Sequence, residues 1–390
     1  MKIAILTSGI RPVPAVHGGA VENLVDFYLD YNNQHRLHDI TVYGIWCPEV
    51  TNHPALQSKV NHYISYKVNS YWNKLMKFLF QHRHHEGHYH YAIEFYLHQA
   101  MKDIQKKHYD MIIVENRPNY ILELTEGIKA KFILHLHNDF LNVNNKDAQS
   151  IYNGYYRIIS VSDFITNKVN SINTNCPKCI TIHNAVDIEK FANADRINRI
   201  TLCLQAHDFV IVYSGRLNEE KGILPLVQAI KGLNMIPNLK LLIIGASSYG
   251  KDKHPTQFIE QLEKESESIK DKLVFTGYID YEQVPSYLKT ADIAVVPSMW
   301  EEPFGLTVVE AMAAGLPLVT TRSGGIPEIC EGVATIVERE NVVENLTKAI
   351  LDLYEHPDKR TAMAKESLER SKMFDKETYA KNFFAAITNR

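Results

Sequence analysis

The feature that most limits how this chain can fold is a rhythm that runs twice. Short apolar stretches alternate with longer amphipathic ones from Lys2 to Ile182, pause, and resume from Phe209 to Thr320. A strand buried on both faces reads as an unbroken apolar run, and each parallel crossover needs a helix. The first half predicts strands at Lys2–Ser8, Ile40–Tyr43, Met111–Glu115, Lys131–His135, Ile158–Val161 and Cys179–Ile182. The second half predicts them at Phe209–Ser214, Lys240–Ile244, Leu273–Thr276, Ile293–Val296 and Leu318–Thr320. Helical patterns fill the gaps: Val21–Tyr31, Ala92–Lys107, Asp163–Asn170, Leu224–Leu233, Tyr281–Thr290, Leu306–Ala314 and Val342–Tyr354. The pause, Asn184-Ala185-Val186-Asp187 through Asn198, is polar and reads as a linker, with the boundary near Phe191. The expectation is α/β: two Rossmann-like doubly wound domains, 1–191 and 192–374, facing each other across a cleft, with ligands beyond the carboxyl ends of the strands.

The 390 residues suit two or three domains, and a net charge of -3 gives no global pull toward nucleic acid. No apolar run approaches the ~20 residues that span a bilayer. The opening Met1-Lys2-Ile3-Ala4-Ile5-Leu6 reads as a buried strand rather than a leader. Five cysteines, an odd and low number, fit reduced thiols in the cytosol. The single Cys176-Pro177-Lys178-Cys179 lacks a second pair and reads as incidental. Residues 61–91 stand apart: Tyr71 to Phe80 is aromatic, basic and apolar together, followed by His82, His84, His85, His88 and His90. An inserted helix with a solvated histidine loop, a helix resting on a membrane surface, and a histidine metal site are the three readings.

Four stretches carry chemistry. Glu301 to Gly315 follows a predicted strand, with Pro303 suited to the first turn of a helix and Gly315 to its end. The backbone N–H groups of such a helix start attract anions, and Gly305 lets backbone approach a ligand. Glu302 before the helix and Glu310 inside it would lie about 12 Å apart along a helical rise. Ser214 to Gly222 also follows a strand, and Arg216 and Lys221 can both reach a diphosphate. It contains neither G-x-G-x-x-G nor G-x-x-x-x-G-K-[ST], so neither the dinucleotide nor the P-loop reading applies. Gly18-Gly19 sits between the first strand and its helix, as a phosphate- or sugar-contacting turn or a simple loop. His135 and His137 end a strand and, by alternation, share one side.

In this order the pieces resemble the retaining glycosyltransferases of family 4, which have the B-type two-domain fold. The resemblance covers nearly the whole chain and is strongest from Val210 to Glu328. It rests on Ser214-Gly215-Arg216-Leu217 with Lys221-Gly222, Phe275 to Ile279, Ala291 to Ser298, Glu302 to Glu310, and Gly324-Gly325-Ile326-Pro327-Glu328. It implies that Arg216 and Lys221 bind the donor diphosphate and stabilise the leaving group in place of a metal. No cofactor is implied, and the sequence has no D-x-D. By the same resemblance Glu310 bonds the ribose and Glu302 the donor sugar. The amides of Phe304, Gly305 and Leu306 support phosphate and sugar, Tyr278 or Ile279 meets the base, Gly18 and Gly19 line the N-terminal side, and His137 stands near the sugar. His137, Glu302, Arg216 and Lys221 are the expected catalytic set. Residues 375–390 would carry a helix crossing back to the first domain.

The run Leu6 to Glu22 is similar to capsule and cell-wall rhamnosyltransferases, which use dTDP-rhamnose, and a UDP-hexose donor stays open. The expected acceptor is a saccharide or lipid-linked saccharide in bacterial surface polysaccharide synthesis. The expected location is the cytoplasm, with peripheral binding to the inner face of the membrane and self-association both open. Two other readings compete: a sugar-nucleotide 2-epimerase of the same fold, and a non-catalytic partner subunit. The string from Phe304 to Gly315 argues against the first, and the presence of Arg216, Lys221 and Glu302 against the second.

Overall fold

Lys2–Leu6 forms β1, with Ile3 to Leu6 fully buried, because helices cover both faces of the sheet it centres. The computed structural model describes residues 1–68, 91–124, 127–246 and 257–388. These divide into an N-terminal unit, Met1–Asn184 with Lys376–Arg390, and a C-terminal unit, Ala185–Asp375.

In the N-terminal unit β1 is joined by β2 (Asp39–Ile45), β3 (Asn61–Tyr66), β4 (Met111–Glu115), β5 (Lys131–Leu136), β6 (Arg157–Ser160) and β7 (Cys179–Thr181). Their order is β3-β2-β1-β4-β5-β6-β7, and every pairing is parallel. The C-terminal unit has β8 (Phe209–Ser214), β9 (Leu239–Ile244), β10 (Leu273–Gly277), β11 (Ile293–Val296), β12 (Leu318–Thr321) and β13 (Thr335–Val337). Its order is β10-β9-β8-β11-β12-β13, again all parallel. Both units are therefore doubly wound, as the sequence rhythm predicts. The strand order reverses between β1 and β4 and between β8 and β11, where such sheets open a crevice for ligands.

Helix packing follows the apolar stripes. Helices Ile223–Gly232 and Val342–Glu355 bury Leu226, Ile230, Leu346 and Ile350 in the core that Ile211, Leu241 and Ile293 of the sheet also enter. Each such side chain contributes roughly 2 kcal/mol by leaving water. In the other unit, helix Ala20–His35 meets the last helix, Lys376–Thr388. There the Tyr28 ring stacks on Phe383 with centroids 4.4 Å apart.

Several expectations need correction. The unit boundary is at Ala185, not near Phe191: Phe191 lies on helix Ile188–Ala192, fully buried, with its ring 6.1 Å from Tyr281 of the C-terminal unit. Residues 61–66 are strand rather than part of an inserted helix. The mixed sequence Asn-His-Tyr-Ile-Ser-Tyr hides the period because β3 pairs with β2 alone at the sheet edge. Asn61 anchors it, donating to Leu29 O at 2.8 Å and accepting from Asn32 at 2.6 Å. Residues 69–90, with Trp72 and the five histidines, lie outside the described residues, and so do the membrane and histidine-metal readings. β13 and helices Ala148–Gly154, Gln257–Ser266 and Pro357–Ser371 were not expected, and the helix predicted at Tyr281–Thr290 shrinks to Val284–Leu288. Among the described residues no helix is long and apolar enough to cross a membrane.

Candidate active site

In the C-terminal unit the loops leaving β8 and β11 are stitched together at the reversal of strand order. Asn218 caps the turn Glu219–Lys221 by accepting from Lys221 N at 3.1 Å. Gly222 follows at φ 69°, and a Cβ there would lie 1.8 Å from the carbonyl oxygen of Pro297. Only glycine lets this turn press against the β11 loop. Met299 N donates to Glu220 O at 2.8 Å, closing the seam.

That seam brings Lys221 to Glu302, and the two form an ion pair through Glu302 Oε1. Ser298 Oγ lies 2.9 Å from the same oxygen and 3.3 Å from Glu220 O, so its one proton goes to the carboxylate, where the bond is charge-assisted. Lys221 Nζ also sits 5.3 Å from the centroid of the Trp300 ring. The Trp300 indole N–H is buried with no hydrogen-bond partner among the described residues. Glu302 is held from behind as well, its carbonyl accepting from Gly325 N at 2.8 Å. Arg216, on the same turn as Lys221, is exposed, 4.0 Å from Glu220.

The helix of the glutamate motif runs from Leu306 to Ala313, so Pro303 stands outside it in a bend rather than in its first turn. Glu302 is likewise outside, and a helical rise does not measure its separation from Glu310. Gly305 caps the helix at φ 114°, and the backbone N–H groups at its start are those a helix leaves unpaired. The Phe304 side chain points inward, 2% exposed, against Phe374 at 5.7 Å. Glu310 is buried. Burial raises its carboxyl to about 7, against the opposing pull of a hydrogen bond from Tyr281 and the charge of Lys190. Tyr278, exposed, and Ile279, half-buried, follow β10.

The N-terminal unit holds a second cluster at its own reversal point. Glu115 ends β4 and pairs in register with His135 on β5. His135 Nδ1 and His137 Nε2 approach Glu115 Oε2 at 3.0 and 3.1 Å, and Tyr28 donates to Oε1 at 2.8 Å. Three side chains thus converge on one buried carboxylate. Burial alone would raise the Glu115 acid, yet the two histidines bring it down to about 2. Burial, helped by the neighbouring His135, lowers His137 to about 4 against the attraction of Glu115, so at neutral pH its ring is uncharged. Nε2 faces Glu115, while Nδ1 is buried on the side where the Asn184 side chain approaches the ring, neither Nδ1 nor Asn184 Oδ1 closing a hydrogen bond by geometry among the described residues. His137 is therefore a ring held in place between Glu115 and Asn184. Gly18 and Gly19 lead into helix Ala20–His35, with Gly18 O accepting from Arg11 at 3.2 Å.

The expected residues thus fall into three groups. Arg216, Lys221 and Glu302 share the β8–β11 corner, Glu310 lies inside the following helix, and His137, Gly18 and Gly19 belong to the other unit. Sequence reasoning missed Glu115, Tyr281, Ser298 and Trp300. A signal existed for Glu115: it is an acid closing the otherwise apolar strand Met-Ile-Ile-Val-Glu. The five cysteines are free thiols, Cys176 exposed and Cys179 buried.

Comparison with known proteins agrees with this geometry. Residues 198–370 match the model of the family described as Glycosyl transferases group 1. Spore coat protein SA of Bacillus subtilis is 24% identical over 383 residues, covering 94% of this chain and 93% of that protein. The putative glycosyltransferase YtcC of the same organism is 25% identical over 366 residues, 90% of this chain and 82% of that one. Among solved structures, Anabaena Alr3699/HepE in complex with UDP-glucose superposes with a TM-score of 0.74 at 19% identity, covering 100% of both chains. The fold is the B-type glycosyltransferase fold, and the family match falls within the C-terminal unit.

Proposed function

We propose that this protein is a retaining, metal-independent glycosyltransferase of family 4. It would move a sugar from a nucleotide-diphosphate donor, a UDP-hexose or dTDP-rhamnose, to a saccharide or lipid-linked saccharide acceptor of a bacterial surface polysaccharide. The observation that carries the reading is the β8–β11 corner, where Lys221 pairs with Glu302 beside a helix start and Arg216 lies exposed on the loop that carries Lys221. This is the composition a diphosphate-linked sugar needs. The UDP-glucose bound by the Anabaena relative supports the donor class.

In this reading Lys221 and Arg216 neutralise the diphosphate as the anomeric C–O bond breaks and its electron pair goes to the leaving phosphate. The acceptor hydroxyl attacks the same face of the oxocarbenium-like sugar, and its proton passes to the departing phosphate. Glu302 is not the nucleophile. Its Oε1 is committed to Lys221 and Ser298, which leaves Oε2 for a sugar hydroxyl. The unpartnered Trp300 N–H offers a further donor to phosphate or sugar oxygen. Glu310 bonds the ribose, Phe304, Gly305 and Leu306 offer backbone amides, and Tyr278 or Ile279 takes the base. In the other unit His137 and the Gly18-Gly19 turn serve the sugar and acceptor. Association with the inner membrane surface belongs to the same proposal. A thermal-shift panel of nucleotide-sugars tests it. The true donor at a hundredfold excess over its Kd should add about 2.7 kcal/mol. If no nucleotide-sugar raises the melting temperature, the reading is wrong.

A further inference from the structure

The loops after β1 and β2 bring together three side chains that the transfer chemistry does not use: His17, Cys47 and Glu49. One ligand atom from each lies within 4.8 Å of the others. Adjacent parallel strands explain the meeting, since β1 and β2 run side by side from Lys2–Asp39 to Leu6–Tyr43 and discharge their loops at the same edge. The positions are preorganised. Arg11 Nη1 donates to His17 O at 2.9 Å and Gly18 N to Ala15 O at 2.8 Å, which fixes the His17 loop. Cys47 opens the turn Pro48–Asn52, with Val50 N donating to Cys47 O at 3.3 Å.

We propose that His17, Cys47 and Glu49 form a binding site for a thiophilic divalent cation of the zinc class. The donor set is a thiol, an imidazole and a carboxylate, a mixture that suits zinc and not magnesium or calcium. His17 Nε2 and Glu49 Oε2 are 3.5 Å apart, long for a hydrogen bond. Two ligands about 2.1 Å from a tetrahedral zinc lie about 3.4 Å from each other. The side chains of His17 and Glu49 are 48% and 55% exposed, so an ion can enter and keep a water as its fourth ligand. Binding releases the Cys47 thiol proton to solvent and forms the metal–sulfur bond. It also ties the loop carrying Gly18-Gly19 to the end of β2, which restrains that turn without placing the ion in the transfer chemistry. The buried Glu115–His135–His137 cluster is the other metal-ligand grouping among the described residues. It is the weaker candidate, because Glu115 and His135 are 0% exposed and offer an ion no entry from solvent.

Cobalt(II) titration of the full chain, cleared of metal beforehand, tests the site. A thiolate-to-cobalt charge-transfer band should grow to one cobalt per chain and vanish in Cys47→Ser. His17→Ala and Glu49→Gln should weaken binding at least roughly tenfold. Cys176→Ser and Cys203→Ser should keep the band, and zinc should slow amide exchange in residues 15–20. No thiolate band, or a band that survives Cys47→Ser, overturns the proposal. So does cobalt affinity indifferent to His17, the result expected if the histidine-rich segment took the metal instead.

Discussion

His137 should make stability fall with acid between pH 6.5 and pH 4, and its replacement by glutamine should flatten that response of the N-terminal unit. Burial holds the folded imidazole at about 4, while in the unfolded chain it titrates near 6.5. Between those values the unfolded chain binds a proton that the folded chain refuses, so stability falls as pH falls through this window. From pH 7 to pH 5 most of 1.5 pKa units is traversed, and at 1.36 kcal/mol per unit the loss is about 2 kcal/mol. Glu115 does not confuse the interval. Its folded acid is down at about 2, so its contribution is lost below its unfolded value of 4.5. The His137→Gln side chain would keep an N–H donor for Glu115 and carry no titrating group. Urea-dependent amide exchange of the Lys131–Leu136 peptide, read by mass spectrometry at both pH values, isolates this unit from the other. Subtracting the His137→Gln variant cancels the histidines that lie away from this cluster. The wild type should lose about 2 kcal/mol more than the variant between pH 7 and pH 5. Equal losses would refute the buried, neutral His137.

The C-terminal unit should respond to pH in the opposite sense. Glu310 is raised to about 7, so its folded form keeps a proton the unfolded chain has lost, and stability declines as pH rises from 4.5 to 7. Urea unfolding of that unit should show the decline, and Glu310→Gln should remove it. Lys221→Ala should abolish transfer in a radiolabelled-donor assay and, by leaving Glu302 without its cation, cost about 1–3 kcal/mol of stability. Adding Glu302→Gln should restore stability but not transfer; wild-type turnover by Lys221→Ala would remove the lysine from the mechanism. In the Cys47→Ser variant, which lacks the proposed loop site, a strong chelator should leave the transfer rate essentially unchanged, and loss of activity there would show that a metal takes part in the chemistry.

The sequence announced the sheets well because their strands are buried on both faces. Met111–Glu115, Phe209–Ser214 and Ile293–Val296 form at the predicted bounds. Two of the four edge strands were harder, since β3 mixes polar with apolar residues and β13 is only Thr335–Val337, whereas the edge strands β7 and β10 form within a residue of their expected bounds. The boundary slipped because Phe191 looks like the last apolar residue of the first half, while its partner, Tyr281, is far along the chain. In the site, Lys221 and Glu302 could be named from their local strings, but not their contact, which depends on Gly222 pressing against Pro297. Glu115 showed only as an acid closing an apolar strand, and its role stayed hidden for the same reason. A carboxylate gains meaning from two histidines on a neighbouring strand, and one-dimensional patterns do not show who stands beside whom.

Because Lys376–Thr388 belongs to the unit that begins at Met1, order of synthesis and order of completion are reversed. A ribosome releases everything the C-terminal unit needs, up to Asp375, before it releases Phe383, which stacks on Tyr28 and lies 5.0 Å from the His135 ring. The first unit begun is thus the last that can close, and its glutamate–histidine cluster lacks a wall until the helix Lys376–Thr388 has been made. A chain cut short by one helix would lose part of that wall while keeping a C-terminal unit whole.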